Sequence, residues 1–344
     1  MKMPNANAPM HETFSAQNTE PYRFADEARH EAALREADEL VCLRNRNQRF
    51  SGLHLNRDFS EGPVIVRVGS MNSASTTESQ KYTAYQYAAA FPENPVISID
   101  LPSHGGSDRH TIVQRAERLI KKSGSLTAHA EAKAVHAYLP NASEYIIIGD
   151  SFGAQLVPEF AIKIGELGLK PLLIMGFDMT GVNYFNTRKT FLRMNKARKS
   201  GHSAYHDGEA NGRLDEAFED FCAEMNQLSS NERVYNPFHV GKRDPVFTLL
   251  SLLRSSTNSE SGMNALEKSL KCNEDMIAAM VSGGLSKICN WKKIQGRVEL
   301  MKQMYGDRLS WDVWPEDSHS MSIAPQQPRS AAFAKHIVDT RLTY

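Results

Sequence analysis

The sequence predicts an α/β fold with a mostly parallel central sheet flanked by helices. Three observations carry this. First, Tyr145-Ile146-Ile147-Ile148 runs into Gly149-Asp150-Ser151-Phe152-Gly153, which reads as a buried strand, a tight turn with a serine at its apex and a helix start. Second, strand-like and helix-like stretches alternate from Pro63 to Asp178. That order implies parallel strands joined by right-handed crossovers. Third, the alternation stops near Val182 and resumes at Met276, so a strand-poor segment interrupts the fold.

The chain has 344 residues, 41% of them hydrophobic, enough for one large domain with an insertion or for two domains. Its formal net charge is zero, and nothing argues for a nucleic-acid partner. The cysteines Cys42, Cys222, Cys272 and Cys289 are scattered, with neither metal-ligand spacing nor a disulfide framework. No cofactor or metal is expected. No apolar run approaches the length of a membrane span, and residues 1 to 20 carry no signal-like apolar core, so a soluble cytoplasmic protein is the expectation.

The elements follow in order. Residues 1 to 20 are polar and read as a loose tail. Ala25 to Ala37 is rich in Ala, Glu and Arg and fits a helical packing or partner arm, which leaves room for a homo-oligomer. Leu40-Val-Cys-Leu and Phe50-Ser-Gly-Leu-His-Leu alternate about a polar turn and predict an antiparallel hairpin. Val64 to Val68 is the next strand, and Gly69 opens a loop of small polar residues. Tyr82 to Phe91 is helical in composition, and Pro95 to Asp100 is a buried strand followed by Leu101-Pro-Ser-His-Gly-Gly-Ser-Asp108. Thr127 to Leu139 is a helix leading into the serine-turn strand.

Beyond Ser151, residues Leu156, Val157, Phe160, Ile164 and Leu167 share a helix face, with Pro158 inside and Gly165 or Gly168 as the stop. Lys170 to Asp178 is a further strand. Residues 182 to 275 hold a basic run, an acidic helix and the apolar stretch Val246 to Leu253, which is either core or pocket lining. Met276 to Val281 and Leu309 to Trp314 are strands, Val298 to Tyr305 a helix, and Pro328 to Leu342 the closing helix.

The Gly-x-Ser-x-Gly turn at Gly149 to Gly153 resembles the nucleophile elbow of the α/β-hydrolase family. The loop Asp100 to Ser107 resembles that family's Asp-x-Pro-Gly-x-Gly-x-Ser loop, with Ser103 in place of the first glycine. The resemblance covers residues 40–181 and 276–344. It implies an α/β-hydrolase core in those two parts, an N-terminal tail and helical extension at 1–39, and an inserted helical cap at 182–275. It also implies which residues would act. Ser151 would be the nucleophile and His319, past the last strand, its base. The oxyanion donors would be Phe152 and Ser70 or Met71, with Val68-Gly69 standing where the family usually has His-Gly.

The family's commonest position for the acid falls on Ser286, and that loop holds no carboxylate. The family's alternative position holds Asp178, which would complete a Ser151–Asp178–His319 triad. Asp317 lies only two residues before His319, too near to approach its ring well. His104 occupies a place where family members carry a histidine that serves the turn. The resemblance thus implies a serine hydrolase acting on a small-molecule carboxylic ester, or a thioester, amide or lactone, through an acyl-enzyme. The alternative is an inactive scaffold of the same fold acting as a receptor or interaction module. A serine at the apex disfavours a haloalkane dehalogenase, which uses an aspartate.

Overall fold

The computed structural model describes residues 40–58, 62–69, 78–104, 107–179, 250–251, 254, 259–284, 291–315 and 329–342. Eight strands form one sheet in the order β1-β2-β4-β3-β5-β6-β7-β8. They are β1 (Leu40–Asn45), β2 (Gln48–Leu55), β3 (Val64–Val68), β4 (Val96–Ile99), β5 (Glu144–Asp150), β6 (Lys170–Phe177), β7 (Ile277–Gly283) and β8 (Leu309–Trp314). The hairpin β1–β2 is antiparallel and joins β4 antiparallel, and every pairing from β4 through β8 is parallel.

The parallel strands are buried on both faces, which is why their sequences are continuous apolar runs rather than alternating ones. Val66, Val68 and Ile147 point to one core, and Ile65, Ile146 and Ile148 to the other. Burying each such side chain stabilises the fold by roughly 1.5–3 kcal/mol.

Seven α-helices lie among the described residues: α1 (Glu78–Ala90), α2 (Ile112–Ile120), α3 (Ser125–Tyr138), α4 (Phe152–Glu166), α5 (Ser259–Cys272), α6 (Gln295–Tyr305) and α7 (Arg329–Arg341). Residues of α3, α4, α5 and α6 pack into one core; those of α1 and α7 pack into the other. No helix among them is long and apolar enough to cross a membrane.

Two features depart from the sequence expectations. Helix α5, which falls within the segment 182–275 expected to form the cap, sends Met263, Leu266 and Leu270 into the main core. It is the crossover that leads into β7. The rest of that segment, apart from 250–251, 254 and 273–275, lies outside the described residues, as does the expected helix at 25–37.

Helix α2 was not foreseen. Its start is a capping box: the Thr111 side chain accepts the Gln114 N–H, and the Gln114 side chain accepts the Thr111 N–H at 2.8 Å. Its polar residues Gln114 and Arg118 are buried while Ile112, Val113 and Ile120 are exposed, so apolar periodicity gives no warning of it.

Candidate active site

The chain leaves β5 at Asp150, turns at Ser151 and enters α4 at Phe152. Ser151 has φ 52° and ψ −113°, a left-handed backbone that costs a non-glycine residue roughly 1–3 kcal/mol. Its surroundings enforce it. The Ser151 N–H donates to the Phe177 carbonyl at 2.8 Å, tying the turn to the end of β6. A Cβ on Gly149 would stand 2.5 Å from the Gly153 carbonyl carbon. A Cβ on Gly153 would stand 2.5 Å from the Val68 carbonyl oxygen and 2.8 Å from that of Gly69. Two glycines therefore let the turn close against itself and against the end of β3, and the serine sits half-buried at the apex. Its side chain does not cap α4. The amides at this helix start, Phe152's among them, thus lie at the positive end of the helix dipole.

Asp178 occupies the matching place one strand away. Asp150 and Phe177 are paired across β5 and β6, so Ser151 and Asp178 are the next residues on neighbouring strands. Asp178 also takes a positive φ, 49°, and is 1% exposed. Its N–H donates to the Val281 carbonyl at 2.7 Å, and its Oδ1 accepts the Gly283 N–H at 3.1 Å. The carboxylate therefore leans toward the end of β7. Gly283 in turn pairs with Trp314, where β8 ends. In sequence, His319 follows that strand end by five residues. His319 itself, the oxyanion candidates Ser70 and Met71, and positions 286 and 317 lie outside the described residues.

The loop after β4 is a packed turn. Ser103, in place of a family glycine, accepts the left-handed conformation with φ 71°. Its hydroxyl accepts the His110 N–H and contacts the His110 ring, both at 3.2 Å. His104 sets Nδ1 against the Pro102 carbonyl at 3.0 Å. Burial lowers the His104 pKa to about 4, so it is neutral and donates this bond within its own turn. The loop closes on the first hairpin, where Arg49 N–H meets the Asp108 carboxylate at 2.8 Å.

Behind the elbow, the Arg118 guanidinium lies 4.9 Å from the Phe152 ring centroid and donates to Thr127 Oγ1 at 2.9 Å. Arg118 and Glu131 are both fully buried. Burial lowers the Arg118 pKa to about 10 and holds the Glu131 carboxyl well above its ordinary range. Sequence reasoning also missed a buried ion pair beneath the elbow, Arg67 with Asp150. A signal existed. Arg67 stands inside Val64-Ile-Val-Arg-Val68, a run that must be buried, and a buried charge needs a partner.

Solved structures share this fold. An α/β-hydrolase enzyme from a Medee basin deep-sea metagenome library matches with a TM-score of 0.58 at 13% identity, over 88% of this chain and 99% of that one. A thermophilic esterase from Thermogutta terrifontis matches at 0.54 and 12%, over 88% and 98%. The thioesterase domain from the curacin biosynthetic pathway matches at 0.51 and 17%, over 88% and 99%. No protein-family model matches the chain, and no curated protein does. At these identities the likeness establishes the fold: this chain has the α/β-hydrolase fold.

Proposed function

We propose that the chain is a serine hydrolase that cleaves a carboxylic ester, with thioester, amide and lactone bonds as related substrates. The observation that carries the reading is the backbone of Ser151, held at φ 52° between two glycines that have no room for a side chain. That strained turn places a half-buried serine side chain at the start of a helix.

In this reading His319 takes the Ser151 proton as the hydroxyl oxygen attacks the carbonyl carbon. Asp178 orients the imidazole and stabilises its charged form. The Phe152 N–H and one from Ser70 or Met71 hold the oxyanion, each worth roughly 3 kcal/mol of barrier. The leaving group departs with the proton from His319, and water then releases the acyl group by the reverse sequence. The lean of Asp178 toward the β7–β8 side supports its role as the acid. The segment from 182 to the start of α5 would supply the cap that shapes the pocket, so the cap ends earlier than 275. A cytoplasmic location belongs to the same proposal, supported by the free exposed thiols of Cys42 and Cys272.

A fluorophosphonate probe should label the wild-type protein and leave Ser151→Ala unlabelled. A series of p-nitrophenyl esters of increasing acyl length should then define the pocket. Absence of labelling in a folded wild-type protein would favour the inactive scaffold.

A further inference from the structure

We propose that Arg67 and Asp150 form a charge-balancing pair that positions the elbow and keeps the oxyanion site free of an opposing charge. The inference rests on the serine-hydrolase reading above. Asp150 is the residue before Ser151 and is 1% exposed, as is Arg67 on the neighbouring strand β3. Arg67 Nη2 donates to Asp150 Oδ2 at 2.5 Å, and Nη1 reaches Ser98 Oγ on β4 at 3.5 Å. The pair thus spans three adjacent strands directly beneath the turn. Tyr87 on α1 borders it as well: burial first, and then the Asp150 charge, push its phenol pKa up.

Stability does not account for this arrangement. The pair meets through one contact, and Asp150 Oδ1 and Arg67 Nε have no hydrogen-bond partner among the described residues. A buried ion pair satisfied this incompletely is commonly no more stable than two apolar side chains of similar volume. The rest of β3 is such an apolar run.

Two consequences bear on Ser151. The anchor fixes the side chain of the last β5 residue, and with it the peptide that enters the strained turn. Unpaired, a buried carboxylate one residue before the nucleophile would oppose a negative oxyanion at the start of α4. Arg67 cancels that charge in a medium where Coulomb forces are weakly screened. Arg67 and Asp150 are positioning residues in this account. They act through Ser151 and the α4 amides rather than on the substrate.

The test compares wild type, Arg67→Met, Arg67→Lys and the double variant Arg67→Met/Asp150→Leu by thermal melting, fluorophosphonate labelling rate and p-nitrophenyl ester kinetics. The double variant, in which no charge is left to oppose the oxyanion and only the anchor is lost, should melt within a few degrees of wild type yet label at least about tenfold more slowly, with kcat reduced and KM within about twofold. Arg67→Lys, which keeps the charge, should restore most of the labelling rate that Arg67→Met loses. A double variant that melts and labels like wild type would overturn the proposal. So would an Arg67→Lys variant that melts like wild type and labels as slowly as Arg67→Met, whatever the folding of the double variant. A wild-type protein that fails to label refutes the hydrolase reading instead, so the two failures are distinct.

Discussion

Ser151 donates its backbone N–H to the carbonyl of Phe177, the residue immediately before Asp178, at 2.8 Å. The turn carrying the candidate nucleophile and the strand end carrying the candidate acid are therefore one hydrogen-bonded unit. Phe177 also packs its ring 5.9 Å from that of Trp314, where β8 ends. Three strand ends thus meet at one residue, and displacement of any of them moves the others.

Asp178→Asn tests the acid without dismantling this unit. The amide oxygen still accepts the Gly283 N–H, and the backbone bond to Val281 is untouched. Melting should change little. If Asp178 orients a catalytic histidine, kcat should fall by roughly ten-thousandfold, because the amide cannot stabilise an imidazolium. Unchanged ester turnover in a folded Asp178→Asn protein would remove Asp178 from the triad.

Gly153→Ala tests the closeness of the elbow to β3. The added methyl would lie 2.5 Å from the Val68 carbonyl oxygen, a backbone atom that cannot swing aside. Stability should fall by roughly 1–3 kcal/mol, and labelling of Ser151 should slow with it. Gly168→Ala is the control of a different kind. Nothing lies within 4 Å of its Cβ position, but φ is 77°, so a smaller loss of about 1 kcal/mol is expected, with labelling unchanged. Chemical denaturation of both variants reads the difference.

The parallel core was legible because its strands are apolar on both faces and its turns carry their own chemistry. Ile146 to Gly153 alone encodes strand, turn and helix start. Helix α2 was not legible from periodicity, because its buried residues are Gln114 and Arg118 and its exposed ones are isoleucine and valine. Its capping box at Thr111 and Gln114 was the readable signal. Helix α5 packs into the main core, yet its composition does not distinguish it from the strand-poor stretch before it. The Arg67–Asp150 pair was hidden for a further reason. The two residues are 83 positions apart, and only strand pairing brings them together.

Gly296, near the start of α6, offers a stabilising change. No atom lies within 4 Å of its Cβ position, and its φ is ordinary for a helix. Gly296→Ala removes backbone freedom from the unfolded chain and should add about 0.5 kcal/mol of stability. A lower denaturation midpoint would show that the helix start is not set as described.

Acid should unfold this protein through its buried histidines. Burial, then the nearby Arg57, lowers the His54 pKa to about 4, while His54 Nδ1 faces Tyr138 Oη at 3.1 Å. His104 is also near 4, and His110 lies well below its ordinary value through burial, then Arg118, His104 and Arg115. In the unfolded chain each histidine titrates near 6.5. Between that value and about 4 the unfolded state therefore binds more protons, and stability falls as pH falls. For His104 the full loss is roughly 3 kcal/mol by pH 4. Glu131 acts with the opposite sign. Its raised pKa weakens the fold at neutral pH, a penalty that lessens on acidification. Glu117, raised by burial as well, acts as Glu131 does, so three histidines stand against two glutamates and leave a net loss. Denaturation midpoints should decline steadily from pH 7 to pH 4.5. The ring signals of His104 and His110 should not titrate above pH 5 by NMR, and His54→Gln should reduce the slope. A protein equally stable at pH 7 and pH 4.5 would contradict the neutral, buried state of these rings.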